Sequence, residues 1–379
     1  MTQGTESCEI STGELKSLYD RNQHDFILID VREAEEFRDW RIYGSVNVPL
    51  GHRFVNRVRT VAEDNQVIAV CRTGVRSLHA VDELEKAGLS AKSLRGGMVA
   101  WSNTYVSNDV QVSGKTPGRV VQIRRLSKGC ASYIVSDGKE CAVIDPSSRI
   151  DEYVGLAATK DFRITHVIDT HKHADHISGG RALASATGAE LHLSPLDSYH
   201  FEGYRPLLDK HKVGFENGDV EIEAIHTPGH TPGSMSLLIN HRLLLSGDTL
   251  FLDGIGRPDL QGSTIESAAQ LYNTCRKMFA ELESDTTVLP AHFSPQTDLM
   301  TTVPIRTTIS GVKQKAAEVN LSDREMVRKL VQNLPKPANH EAILRINSGQ
   351  DTLDLSLVDL LEEGHNRCSF PLGLGDTNK

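Results

Sequence analysis

The sequence has no CxxC pair, no apolar run near the roughly 18 residues of a membrane span, and no Lys or Arg among its first fifteen residues. Each absence removes a class of protein. Six irregularly spaced cysteines without CxxC exclude a zinc ribbon or disulfide framework, and suit free thiols in a reducing compartment. Without a long apolar run, no membrane partner is expected. A start lacking basic residues is neither a secretory signal nor an Arg-rich transit peptide, which makes the cytoplasm the expected location. Positive charge is short too: 41 Lys and Arg against 50 Asp and Glu leave a net charge of −9. A phosphate-tracking protein needs a basic stripe, so nucleic acid is not an expected partner.

What is present points to two domains. A chain of 379 residues exceeds one ordinary core, and 39% hydrophobic with 24% charged residues is a globular composition. "FILID" (26–30) and "VIAV" (67–70) predict buried strands, and "SLHAVDELEKAG" (77–88) predicts an amphipathic helix ending at Gly. Strand and helix in alternation mean a parallel α/β sheet over residues 1–102. Residues 103–118 lack periodicity and end in Gly, Lys and Pro, the pattern of a linker. Beyond it, "VVQIRRL", "ASYIVSDGKECAVIDP", "DVEIEAIHTPG" and "MSLLINHRLLLSGD" predict hairpin strands over 119–300. Residues 301–379 form an extension, helical first ("ISGVKQKAAEV", "SDREMVRKLVQNL") and then interrupted by proline.

The chemistry concentrates in "DTHKHADH" (169–176), three histidines and two aspartates in eight positions. Imidazoles at i and i+2 on a loop can turn towards one point, while the next acid and imidazole serve a second. Such a loop holds one or two divalent metals. Further candidates are His230 in "TPGHTPGS", Asp248 in "LLSGDTLF" and His292 in "VLPAHF", each beside small residues or Pro. His24, His52, His166, His192, His200, His211, His226, His241, His340 and His365 are expected to be structural or on the surface.

In that order, H-x-H-x-D-H, P-G-H, G-D and P-A-H resemble the metallo-β-lactamase fold superfamily over about residues 119–295, which implies an αββα domain. Two branches then compete. A glyoxalase II-like thioester hydrolase would hold two divalent metals, zinc or iron, adding His173, Asp175, His176 and His292 to the ligand set. A persulfide dioxygenase would hold one Fe(II) per chain with two histidines and one carboxylate. "GDTLFLDGIGRPDLQG" (247–262) resembles the persulfide dioxygenases in its G-x-G-R-x-D element. That resemblance implies His171, His230 and Asp248 as iron ligands and Arg257 as a substrate holder. His173, Asp175, His176 and His292 then become supporting residues or an unused second site. Phe293 departs from the family, which commonly carries an acid there.

The first segment carries independent chemistry. "CRTGVR" lies between a strand and a helix start, where backbone N–H groups and the helix dipole converge on Cys71. Arg72 and Arg76 add positive charge suited to anionic sulfur. "LIDVREAEEF", "GSVNVP", "CRTGVRS" and "LRGGMVAW" resemble the rhodanese sulfurtransferases over about residues 9–101. The resemblance implies a persulfide carried on Cys71, with Asp30 and Arg32 as scaffold. Cys8, Cys130, Cys141 and Cys275 are expected to be structural, and Cys368 either structural or a second thiol near a site.

Together these imply a rhodanese–persulfide dioxygenase fusion for sulfide oxidation, a cytoplasmic oxidoreductase whose partners are glutathione or similar thiols and their persulfides, with thiosulfate or sulfite. Homo-oligomers are compatible with this reading. The alternatives are a thioester hydrolase fused to a rhodanese domain, and a rhodanese domain that only senses sulfur; the full "CRTGVR" loop speaks against the last.

Overall fold

The buried strand "FILID" pairs in parallel with "QVIAV", and this pair forms the middle of a five-stranded sheet. In spatial order the sheet runs Glu9–Ile10, Ala91–Leu94, Gln66–Val70, Phe26–Asp30 and Val46–Asn47. Both its faces are apolar, one covered by Phe54, Val58, Val81 and Leu84, the other by Leu15, Trp40, Met98 and Trp101. Burial on both faces is what continuous rather than alternating hydrophobic strands require. The predicted helix spans Val75–Lys86 and ends before Gly88, whose φ of +78° suits glycine. The computed structural model describes residues 8–21, 23, 25–111, 118–252, 254–260, 264–294, 301–315, 325, 328, 336 and 339–371. His24 and most of the helix expected over "SDREMVRKLVQNL" fall outside these.

The second half is a sandwich of two sheets. Seven strands lie in the order Arg205–Pro206, Glu190–Leu193, Arg163–Ile168, Glu140–Ile144, Cys130–Asp137, Arg119–Arg125 and Tyr105–Asp109. Six more lie in the order Lys212–Gly214, Glu221–His226, Met235–Ile239, Leu243–Gly247, Thr287–Pro290 and Thr307–Thr308. Their inner faces meet through Tyr133, Val135 and Ile144 on one side and Ile222, Leu237 and Leu245 on the other. Helix Thr264–Glu281 covers the outer face of the six-stranded sheet, and Ile150–Thr159 and Gly180–Thr187 cover the seven-stranded one. This is the expected αββα arrangement. No helix among the described residues is long and apolar enough to cross a membrane.

One boundary needs correction. Tyr105–Asp109, expected inside the linker, is the edge strand of the seven-stranded sheet, antiparallel to Arg119–Arg125. The ladder pairs Val106 with Arg124, and buried Val106 packs with Trp101 and Leu126. A strand paired on one edge only needs no long periodic pattern, so composition alone read it as loop.

The extension is not an appendage. Glu362 is buried, forms an ion pair with buried Arg125, and accepts the Ile177 N–H at 2.6 Å. Removing one member of such a pair strands the other charge in the core. Glu362→Ala should therefore cost about 3–5 kcal/mol, seen as a lower urea midpoint for the metal-domain transition; an unchanged midpoint would contradict this.

Candidate metal centre and cysteine loop

The "DTHKHADH" loop leaves strand Arg163–Ile168 and is held by two buried carboxylates from elsewhere in the chain. Asp145 accepts the Thr170 N–H at 2.7 Å and the Thr170 hydroxyl at 2.9 Å, and its Oδ1 lies 3.2 Å from His173 Nε2. Asp197 accepts the Lys172 N–H at 2.8 Å, the Thr231 hydroxyl at 3.0 Å and the Gly233 N–H at 2.7 Å. It thereby ties the loop to the segment bearing His230. Neither aspartate stood out in the sequence, because their partners lie tens of residues away.

The three expected ligands converge. His171 and His230 bring Nε2 to within 3.6 and 3.3 Å of Asp248 Oδ2, and all three residues are buried. His171 Nε2 and Asp248 Oδ2 have no hydrogen-bond partner. Leaving such buried groups unsatisfied is costly unless something occupies the space between them. Burial pushes the Asp248 carboxyl up, but His292, His171 and His230 together outweigh it and hold it well below the usual range. Burial lowers both His171 and His230. An ionised carboxylate and two neutral imidazoles are the protonation states a divalent metal requires. His230 Nδ1 donates to the Arg257 carbonyl at 2.9 Å, which leaves Nε2 for the metal. Gly256 is needed beside it, since a Cβ there would strike the Asp248 carbonyl.

A second cluster holds Cys130, Asp175, His176 and His292, all buried. Its members are bonded among themselves. His292 meets Asp248 Oδ1 at 2.7 Å through Nδ1 and Asp175 Oδ2 at 2.9 Å through Nε2, and His176 Nδ1 lies 3.0 Å from Asp175 Oδ1. Cys130, expected to be structural, lies within this cluster, its thiol 3.2 Å from Asp175 Oδ2. The contact arises because Cys130 forms a β-bridge with His292 across 162 residues, a pairing no local pattern announces. Cys368 also reaches this region, its sulfur grouped with Asp248 and His292. The His173 ring lies 4.2 Å from that of His171, centroid to centroid, with its Nε2 on Asp145 and its Nδ1 unpartnered.

Arg257, a substrate holder on the resemblance, has its guanidinium engaged within the protein. Its guanidinium donates to both Asp259 oxygens at 2.6 Å and to the Arg367 carbonyl at 3.2 Å, and it is 1% exposed. A guanidinium bonded in this bidentate way inside the protein braces the loop that carries His230's acceptor.

Cys71 sits at the end of strand Gln66–Val70, 1% exposed. Its sulfur accepts from the Gly74 N–H at 3.2 Å and the Ser77 hydroxyl at 3.4 Å. The "RGG" turn presses on the loop from behind: Met98 N–H donates to the Cys71 carbonyl at 2.8 Å, and a Cβ on Gly97 would clash with that carbonyl. Arg76 is bonded to Glu36 at 2.7 and 2.8 Å, and Arg72 to Glu363 of the extension at 2.6 and 2.8 Å. Asp30 and Arg32 form a buried pair, as a scaffold role requires.

Asp145 offers a test of the support around the metal centre. Its φ is +52°, a conformation asparagine tolerates, so Asp145→Asn should fold. The variant weakens the acceptor that orients His173 and fixes Thr170. Metal affinity should fall about 10–100-fold in chelator competition, and unaltered affinity would show that Asp145 plays no part.

Residues 128–292 match the metallo-beta-lactamase superfamily, and residues 11–104 match the rhodanese-like domain family. Among curated proteins, the chain is 30% identical over 243 residues to a hydroxyacylglutathione hydrolase of Polaromonas sp., covering 61% of this chain and 87% of that protein. It is 28% identical over 232 residues to the mitochondrial persulfide dioxygenase ETHE1 of Bos taurus, covering 58% of this chain and 85% of that protein. Among solved structures, ETHE1 from Myxococcus xanthus superposes with a TM-score of 0.52 at 25% identity, covering 65% of this chain and 99% of that one. The two kinds of relative stand nearly level in identity, so the reading of activity turns on the site residues.

Proposed function

Because the chain belongs to the metallo-beta-lactamase superfamily and carries a rhodanese-like domain ahead of that fold, we propose that it oxidises a thiol persulfide with O2 at one iron. Its other centre would move sulfane sulfur through Cys71. The balance is a persulfide, O2 and water giving the thiol, sulfite and two protons. The observation that carries the reading is the contrast between the two clusters. His171 and Asp248 aim unpartnered atoms at one point, whereas His292 is hydrogen-bonded through both ring nitrogens. Both ring nitrogens of His292 are thus engaged by carboxylates, and neither is left open in the way His171 Nε2 is. Two histidines and one carboxylate with open positions are the ligand set of iron(II) oxygenases, and iron bound there supplies the redox chemistry with O2.

The chain's own residues do the rest. His171, His230 and Asp248 hold the ion, and the Arg257 carbonyl fixes the His230 ring. In the first domain, thiosulfate gives its outer sulfur to the Cys71 thiolate and leaves as sulfite, and the Gly74 N–H and Ser77 hydroxyl steady the sulfur that remains. A thiol such as glutathione accepts the sulfur, since Cys71 is short and fixed by its loop. The setting proposed is the cytoplasm.

A second reading has one specific observation behind it. The cluster of Cys130, Asp175, His176 and His292 is a complete ligand set for another divalent metal, zinc or iron, as in a dinuclear thioester hydrolase. Metal counting separates the two. Protein reconstituted without oxygen should retain about one iron per chain and hydrolyse S-acylglutathione no faster than background. Two tightly held metals with rapid hydrolysis would favour the second reading.

A further inference from the structure

Residues 362–368 run as a strap between the two centres. Glu362 is locked to Arg125 inside the sandwich, while Glu363, the next residue, holds Arg72 of the cysteine loop. Arg367 meets Asp39 of the first domain at 2.8 Å, and Cys368 ends beside Asp248 and His292. Under this strap lies a cavity of about 340 Å³ whose walls come from both domains. Glu36 and Trp40 line it on one side, and Lys128, Lys336 and Asp175 on the other, with Glu363 between. Glu36 and Glu363 are the carboxylates that hold Arg76 and Arg72, so the cavity borders the partners of both loop arginines. Asp175 belongs to the cluster beside the metal ligands. The cavity therefore lies between the two centres, bordered by the ion-pair partners of Arg72 and Arg76 on one side and by Asp175 on the other.

Its volume is at the lower end of the roughly 300–1,000 Å³ of small-ligand sites. Its lining carries both signs of charge: Lys128, held by the Glu362 and Gly364 carbonyls, and Lys336 on the positive side, and Asp39 and Glu363, paired with Arg367 and Arg72, on the negative. Walls of mixed sign suit a small zwitterion bearing an amine and carboxylates better than a simple anion. Cys71, 1% exposed and held by its loop, cannot deliver sulfur itself.

We propose that this cavity is a transfer chamber, in which a small zwitterionic thiol takes the sulfane sulfur from Cys71 and meets the metal centre without first leaving for bulk solvent. This rests on the function proposed above. In the transfer, the carrier's thiol loses its proton to solvent and its thiolate attacks the outer sulfur of the Cys71 persulfide. A new S–S bond forms on the carrier. The bond to Cys71 breaks, and its electron pair stays on Sγ as the thiolate. There is no net oxidation until the carrier persulfide reaches the iron.

The test uses two full-length variants, Cys71→Ser and Asp248→Ala, with His171→Ala as a second metal-site variant should Asp248→Ala fold poorly. Each is first assayed for the half-reaction it retains: persulfide oxidation by the first, transfer from thiosulfate to glutathione by the others. Oxygen uptake driven by thiosulfate and limiting glutathione is then compared between their equimolar mixture and the intact protein, at equal numbers of working sites. The chamber predicts that the mixture is at least about tenfold slower at submicromolar protein, because the carrier must cross bulk solvent. Equal rates would overturn the chamber and leave the proposed function standing. Failure of folded, iron-replete Cys71→Ser to oxidise supplied persulfide would instead overturn the division of labour between the two centres, with Cys71 taking part in the iron chemistry directly. A readout that needs no metal is the emission of Trp40, one of two tryptophans in the chain. Glutathione titrated into metal-free protein should change it saturably, and Trp40→Phe should remove that change. A flat titration in the intact protein would overturn binding in the cavity.

Discussion

Replacing His171, His230 or Asp248 by alanine should leave a folded protein that neither retains iron nor consumes oxygen with glutathione persulfide. Each substitution takes one donor from a three-ligand set, and the remaining two cannot hold the ion against dilution. The expected rates lie below a hundredth of the unmodified protein. His176→Ala is the informative contrast. Its ring is bonded to Asp175 rather than aimed at the three ligands, so iron retention should persist. If His176→Ala lost iron as completely as His171→Ala, the two clusters would have to be one dinuclear site. Iron measured by emission spectroscopy after desalting, beside an oxygen-electrode trace, reads both outcomes.

Cys71→Ser carries the second large effect. A serine hydroxyl is far less acidic than a thiol and cannot store sulfane sulfur, so transfer from thiosulfate should fall to background. Among the described residues the other buried thiols lie elsewhere: Cys130 and Cys368 at the metal clusters, Cys141 and Cys275 in apolar cores. Burial pushes Cys141 and Cys275 up to about 12, which makes them poor nucleophiles. None is placed to substitute. Oxidation of supplied glutathione persulfide should survive in the same variant. If a folded, iron-replete Cys71→Ser lost that activity as well, Cys71 would have to take part in the iron chemistry directly.

The centres were legible in the sequence to different depths. The clustered histidines and the cysteine loop drew notice because their groups are dense and local, as in "DTHKHADH" and "CRTGVR". The parallel sheet and the sandwich followed from continuous apolar strands and short polar turns. What escaped is held together over distance. Asp145, just after a strand, and Asp197, in a short 3-10 turn, position the metal loop from separate parts of the chain, and Cys130 reaches the site through its bridge to His292. Arg257 was given a substrate-holding role by the resemblance of its G-x-G-R-x-D element, and only the fold shows its guanidinium engaged by Asp259, two residues on. Glu362 and Glu363 sit in an ordinary acidic run, and only tertiary packing turns one inward to Arg125 and the other outward to Arg72.

The central claim is that a persulfide is oxidised rather than a thioester hydrolysed. Its most direct measurement is the sulfite formed per O2 consumed when iron-loaded protein is given glutathione persulfide. The account predicts one sulfite for each O2, with no uptake by the metal-free protein. No oxygen consumption by protein that holds its metal and rapidly cleaves S-acylglutathione would contradict it.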